Sequence, residues 1–302
     1  MRITQRAITQ NSLLGLNSNL AALDKLQQQL TSGTTISRPS DSPTGTNTSM
    51  LTRRSIADNE QQARNITDGT GLLDATDTAL QDMLAQTRKV RDLTVQALNG
   101  GVASPESAQA VSAQVTGLRE SMLGQANQVI AGRPLFGGAT SGTTAYDGTG
   151  AYVGVGGTGG IPIVPVNRRV SDTETIRADI TGAEAFGDPA AGRDLFAVVQ
   201  DIATHAAGRD QAGLTSDLAA LDDAISRMTK ATADVGTRAQ RMEKAASTNQ
   251  SRALTLSAQL GATEDVDLPK TIMNMQAQQV SYQAALQVTA QVLQPTLLDF
   301  LR

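Results

Sequence analysis

The chain has no cysteine and no tryptophan among its 302 residues, a single histidine, and only four phenylalanines and three tyrosines. Without cysteine there is no disulfide, no thiolate nucleophile and no zinc-thiolate site. So few aromatics are poor material for a thick globular core; they suit slender helical bundles, whose seams fill with Leu, Val, Met and Ala. The formal net charge of -4, with no block of like charge, leaves no electrostatic footprint for nucleic acid, and none is expected as a partner. No apolar run reaches about 18 residues, so no membrane span is expected. Gln10, Asn11, Asn17 and Asn19 break up any apolar segment after the basic start, so no Sec-type signal peptide is expected either.

What the chain does have is heptad order. From Leu214 to Leu260 a 4-3 stripe runs through Leu214, Leu218, Leu221, Ile225, Met228, Thr232, Val235, Ala239, Met242, Ala246, Asn249, Ala253, Leu256 and Leu260. Such a stripe stays on one face only if the helix supercoils around partners, and it predicts a rod of roughly 70 Å. Partners of matching length flank it. Ile66, Leu73 and Leu80 are spaced by seven, with Met83, Val90 and Ala97 as a second row, in a helix entered through Ser42-Pro43 and ended by Asn99-Gly100-Gly101. Ser104-Pro105 opens another helix, with Val111, Val115, Leu118, Met122, Ala126 and Val129 on one face and Gly132-Arg133-Pro134 as its stop.

Both chain ends carry further stripes. The first has Leu13, Leu16, Leu20, Leu23, Gln27 and Leu30, with Gly33 as helix stop; the last starts at Asp267-Leu268-Pro269 and has Ile272, Met275, Gln279, Tyr282, Leu286, Thr289 and Leu293. Pairing the two ends is the economical arrangement, each stripe holding one glutamine. From Ala139 to Asp188 helical periodicity gives way to Gly and Thr, with short β-type runs at Ala151-Tyr152-Val153, Ile161-Pro162-Ile163-Val164 and Thr175-Ile176-Arg177. Leu195, Val198, Val199 and Ile202 then predict a short helix leading into the rod.

No catalytic constellation is visible. Gly154-Val155-Gly156-Gly157-Thr158-Gly159 matches the dinucleotide fingerprint, but Pro162 and Pro165 forbid the helix whose N-terminus would hold a pyrophosphate, so a glycine-rich hairpin is expected. His205, one turn after Asp201, lacks a second histidine or a serine elbow and reads as a solvated helix residue. Asp222-Asp223 and Glu264-Asp265-Val266-Asp267 fit solvated faces and helix starts. No catalytic residue, cofactor or metal is expected.

Leu30-Thr31-Ser32-Gly33-Thr34-Thr35-Ile36-Ser37-Arg38-Pro39-Ser40-Asp41-Ser42-Pro43 resembles the "L-x-S-G-x-x-I-x-x-P-S-D-D-P" signature of the flagellin-like axial proteins of the bacterial flagellum. Met1-Arg2-Ile3-Thr4, Gln96-Ala97-Leu98-Asn99-Gly100, Ala126-Asn127, Gly132-Arg133-Pro134-Leu135-Phe136-Gly137-Gly138, Val235-Gly236-Thr237-Arg238, Glu264-Asp265-Val266-Asp267-Leu268 and Leu297-Leu298-Asp299-Phe300-Leu301 are similar to the family's other motifs, in order along the chain. Ser42 departs from the usual second Asp, Gly45 from an alanine, and Pro295 lies inside the terminal helix; the 139–188 insert matches poorly. Pro39 and Leu293-Gln294-Pro295 set the chain apart from flagellin itself, the alternative within the family.

The resemblance implies a mainly α fold: a long antiparallel helical bundle of 43–138 with 189–263, a β-rich outer insert at 139–188, and a terminal helix-pair domain of 1–42 with 264–302. It also implies a structural, non-enzymatic subunit joining hook to filament, exported without a cleaved signal peptide and carried by a chaperone. Its expected partners are hook-associated protein 1, flagellin and copies of itself in a helical ring. The assembly surface is expected at Leu13, Leu16, Leu20, Leu23, Leu30, Ile272, Met275, Tyr282, Leu286, Leu293, Leu297 and Leu301. A secreted enzyme on a coiled-coil stalk is the rival from another class; the insert is too short and too poor in histidine and acid clusters to favour it.

Overall fold

A computed structural model describes residues 2–101, 104–130, 132–140, 142–158, 161–188 and 193–293. The order is α1 (Arg2–Ser32), α2 (Pro43–Gln96), a π turn (Ala97–Gly101), α3 (Pro105–Ala126), β1 (Val129–Ile130), β2 (Arg133–Pro134), β3 (Asn167–Arg169), β4 (Thr175–Arg177), α4 (Gly182–Phe186), α5 (Leu195–Gly208), α6 (Gln211–Glu264) and α7 (Leu268–Leu293). The fold is mainly α. It divides into two units, residues 1–58 with 253–302 and residues 59–252; α2 and α6 contribute to both.

The helix boundaries follow the sequence signals. Ser42 Oγ accepts the Gly45 N–H at 3.1 Å and α2 starts at Pro43. Ser104 caps α3 in a reciprocal capping box with Ser107. Gly100, at φ 92°, ends the helical run after α2, in the left-handed region that favours glycine. One stop differs: α3 ends at Ala126, not at Gly132, and the chain turns through the β1–β2 hairpin, Val129 opposite Pro134. Asn127 makes that exit. Its side chain accepts from the Ala145 and Tyr146 N–H groups at 2.9 and 2.8 Å and donates to the Tyr146 carbonyl at 2.9 Å.

The core of unit 59–252 lies where α2, α3, α5 and α6 supply buried residues. All six residues of the α2 double row, Ile66 to Ala97, are buried. On α6 one row of the expected stripe, Leu214, Leu221, Met228, Val235, Met242 and Asn249, is buried as well. The second row is displaced by one residue: Asp217, Ala224 and Ala231 are buried, while Leu218, Ile225 and Thr232 are only half-buried and Ala246 is exposed. Small alanines let neighbouring helices approach closely, and bulkier Leu218 and Ile225 flank that contact. Asn59 and Asn249, both buried, exchange side-chain amide bonds at 3.0–3.4 Å between α2 and α6.

The insert holds less strand than expected. β3 pairs antiparallel with β4, Arg168 opposite Ile176; Tyr152 makes only an isolated bridge to Tyr146, and Ile161–Val164 forms no strand, since Pro162 removes a ladder donor. A short helix, α4, replaces part of the expected β structure, capped by Thr181 and Glu184. Five of the seven aromatics, Phe136, Tyr146, Tyr152, Phe186 and Phe196, meet here edge to face, centroids 4.7–6.2 Å apart. The scarcity of aromatics is therefore local: the rings gather where Tyr146, Tyr152 and Phe186 of the insert meet Phe136 and Phe196 of the flanking bundle segments.

Candidate assembly surface

In the unit of residues 1–58 and 253–302, α1 and α7 pack antiparallel. At one end Thr34 bridges Asp265, the Thr35 N–H donates to the Glu264 carbonyl at 2.6 Å, and the Val266 N–H donates to the Gly33 carbonyl at 3.1 Å. Further along, Gln278 Nε2 donates to Asn19 Oδ1 at 3.1 Å. Gly33, at φ 71°, makes the turn out of α1. Asp41 organises the loop that follows. It accepts the Ser37 and Arg38 N–H groups at 3.2 and 3.0 Å and pairs with Lys25 at 3.0 Å, and the lysine hydrogen bond, with the backbone donors, holds its carboxyl below the usual range. Gly45 leaves room for Ile36, whose Cδ1 lies 2.6 Å from where an alanine Cβ would stand. The signature stretch ties α1 to the start of α2.

The seam of the α1–α7 pair is not the stripe with the most leucines. On α1 Ser12, Leu16, Asn19, Leu23, Leu26 and Leu30 form the half-buried seam, with Thr9, Ala22 and Gln29 half-buried beside it; on α7 Thr271 is buried and Met275, Gln278, Tyr282, Ala285 and Thr289 are half-buried. Leu16, Leu23, Leu30, Met275 and Tyr282 face the partner helix, as the stripe predicts. Leu13 (52% exposed), Leu20 (47%), Ile272 (41%) and Leu286 (43%) do not, and Gln27 and Gln279 are exposed too. Polar Asn19 and Gln278 bond to each other, which lets them occupy the seam and leaves the leucines outside it. The side chain of Leu293, and all of Leu297, Leu301 and Pro295, lie outside the described residues.

These displaced residues share one side. With Leu16 and Leu23 as heptad positions a, Asn19 as d, and Met275 and Tyr282 as a, Gln278 as d, the residues after each d are e positions: Leu13 and Leu20 on α1, Ile272 and Leu286 on α7. In an antiparallel pair the two e rows lie on the same flank. Leu14, Met273 and Val280, all exposed, fall at f beside them. Seven large apolar side chains therefore border one flank, whereas the other holds Gly15, Ala22, Gln29, Asn274, Ser281 and Val288 at g. The two flanks of the pair thus differ in apolar exposure.

The remaining candidates have structural partners. Arg53 grips Glu264 through two hydrogen bonds at 3.1 and 2.6 Å, and this contact lowers the carboxyl's pKa. Asp222 pairs with Arg91 at 2.6 Å. His205 is not simply solvated: its Nδ1 lies 2.6 Å from Oδ2 of buried Asp217, and that hydrogen bond raises the imidazole's pKa. The missed signal was Gly213, where a Cβ would come within 2.6 Å of the ring. In the glycine run, Gly156 and Gly157 take positive φ and the Gly157 N–H donates to the Ile161 carbonyl at 2.9 Å, closing a turn. Among the described residues no cluster could hold a metal ion, and no helix is long and apolar enough to cross a membrane.

Two helical units, one of them built on the paired terminal helices, define a mainly α helical-bundle protein. Residues 3–139 match the bacterial flagellin N-terminal helical region and residues 218–301 the C-terminal helical region, together well over half of the chain. The chain belongs to the flagellin family and is a structural axial protein of the bacterial flagellum. It is 25% identical to a flagellin of Bacillus subtilis over 96% of both chains. It is 24% identical to flagellar hook-associated protein 3 of Escherichia coli over 94% of this chain and 95% of that one. In fold it is similar to a putative flagellar hook-associated protein from Vibrio parahaemolyticus, with TM-score 0.63, 20% identity, and 74% of this chain and all of that chain covered. Bacillus cereus FlgL gives TM-score 0.59, 23% identity, and 70% and 99% coverage.

Proposed function

We propose that this chain joins hook to filament, packing into a helical ring of its own copies between hook-associated protein 1 on one side and flagellin on the other. The observation that carries the assembly reading is the one-sided apolar flank on a helix pair whose large apolar side chains, among the described residues, are at most half-buried. The junction role is supported by solved relatives of hook-associated type, several of which this chain matches over nearly their whole length. The role is structural and not enzymatic. Export proceeds without a cleaved signal peptide, with a chaperone covering the termini until assembly.

The test is electron microscopy of cells lacking the chain. Hooks without filaments, with flagellin shed into the medium, are expected. Flagellin, the reading favoured by the Bacillus subtilis relative, predicts instead that no filament protein is released. In complemented cells, Leu20→Asp with Leu286→Asp leaves the protein made and exported but abolishes motility; normal swimming would remove the flank from the assembly surface.

A further inference from the structure

Within the unit of residues 59–252, charge is segregated along two helices. Residues 65–87 of α2 contain Asp68, Asp74, Asp77 and Asp82 and no lysine or arginine. Asp68 is engaged by Arg168 at 2.6 Å, and Asp77 accepts from Gln81 at 2.6 Å. Asp74 and Asp82 are exposed, and neither carboxylate has a hydrogen bond or ion pair among the described residues. Eight residues apart, they share a face about 12 Å long.

On α6, Lys230, Arg241, Lys244 and Arg252 are exposed, with Asp234 and Glu243 between them. Lys230 and Lys244 have no partner among the described residues. Beside Lys244 opens a cleft of about 360 Å³, bounded by Arg241, Arg252, Ser171 and Thr248. The acids near it are already satisfied: Arg241 holds Glu174 at 2.8 Å, and Asp172 is shared by Arg252 at 3.1 Å and Gln62 at 3.0 Å. Lys244 and Arg252 are eight residues apart, the same spacing as Asp74 and Asp82. A carboxylate entering the cleft would meet one free ammonium and two guanidinium groups with donors left over.

We propose that the Lys244 cleft, Arg252 included, is the docking surface for the Asp74–Asp82 face of a second copy of this chain. Different patches on one molecule give a heterologous contact, which propagates from copy to copy and closes into a ring or continues as a helix. The contact supplies lateral register by charge, separate from the apolar flank of α1 and α7. It rests on the reading that copies of this chain pack side by side.

Light scattering on the purified full chain tests it through the second virial coefficient, which reports attraction or repulsion even without stable oligomers. The expected result is attraction at about 0.01 M salt that disappears near 1 M, where the Debye length shrinks from about 30 to about 3 Å. Lys244→Glu with Arg252→Glu should turn attraction into repulsion. Adding Asp74→Lys and Asp82→Lys should restore it, while adding Asp58→Lys and Asp223→Lys, which returns net charge equally, should not. Equal restoration by both pairs would reduce the effect to net charge and overturn the proposal, as would absence of attraction at low salt. Attraction that ignores salt and is lost only with Leu20→Asp and Leu286→Asp would also overturn it, while leaving assembly through the terminal helices in place.

Discussion

The two units use the same helical repeat for opposite ends. Every apolar side chain in the buried class, among the described residues, lies between Ile66 and Met242, inside the unit of residues 59–252. The other unit buries Ser49, Thr52, Glu264 and Thr271 and leaves twelve large apolar residues exposed, from Leu13 to Val288. A heptad pattern by itself therefore does not say whether its apolar residues will be covered. Coverage depends on how many neighbours a helix has: the first half of α6, Leu214 to Met242, shares a buried core with α2, α3 and α5, whereas α7 packs along α1. A helix with one partner can bury only its a and d rows, and the rest of its apolar surface stays in water until another chain arrives.

The largest effect should separate the units by core truncation. Leu73→Ala or Leu221→Ala, both at fully buried positions, should cost about 2–5 kcal/mol, whereas Leu20→Ala or Leu286→Ala should change stability by roughly 0.5 kcal/mol or less. Urea denaturation followed by helical circular dichroism measures both. Equal losses would mean that the terminal pair has a core after all.

Native-state hydrogen exchange sharpens the same contrast without mutation. Amides of α1 and α7 should exchange through local opening at least about 100-fold faster than those around Leu73, Leu80 and Met228, because the apolar seam residues described on these helices are only half-buried. Uniform protection across both units would break the distinction.

The smallest effects are in pH. Glu264 and Asp41 are held below their ordinary values by Arg53 and Lys25, so the stability they add is present above about pH 4 and lost as pH falls through their folded values. His205 is raised by Asp217, so its contribution is complete below about pH 6.5 and lost as pH rises through the folded value. Trypsin cleavage after Arg209, the left-handed residue between α5 and α6, should therefore quicken as pH rises above about 6.5, after correction with a free peptide; His205→Gln should flatten the profile. A pH-independent rate in the native chain would show that the ion pair does not hold this corner.

Much of this architecture is legible in the sequence, and the misses share a cause. The α2 rows were visible because Ile66, Leu73, Leu80, Met83 and Val90 are large and apolar where the packing needs them. On α1, α6 and α7 one row was right and the other displaced by a residue, because choosing the most apolar stripe passes over small or polar residues that fit a close contact: Ala224 and Ala231 on α6, Asn19 and Gln278 in the terminal pair. The leucines passed over by the seam then became the candidate surface. Asp217 beside His205 was invisible because the contact joins two helices through a turn, and only the absence of a side chain at Gly213 hinted at it.

The gathering of aromatics has an optical consequence. With no tryptophan, and with Tyr146 and Tyr152 locked among Phe136, Phe186 and Phe196, the near-ultraviolet dichroism of this chain comes chiefly from rings fixed in the insert; Tyr282 on half-buried α7 adds little asymmetry. The far-ultraviolet signal comes from the helices. Two wavelengths on one sample thus follow two regions, and the gap between their melting curves reads out directly how far the insert and the helices unfold as one.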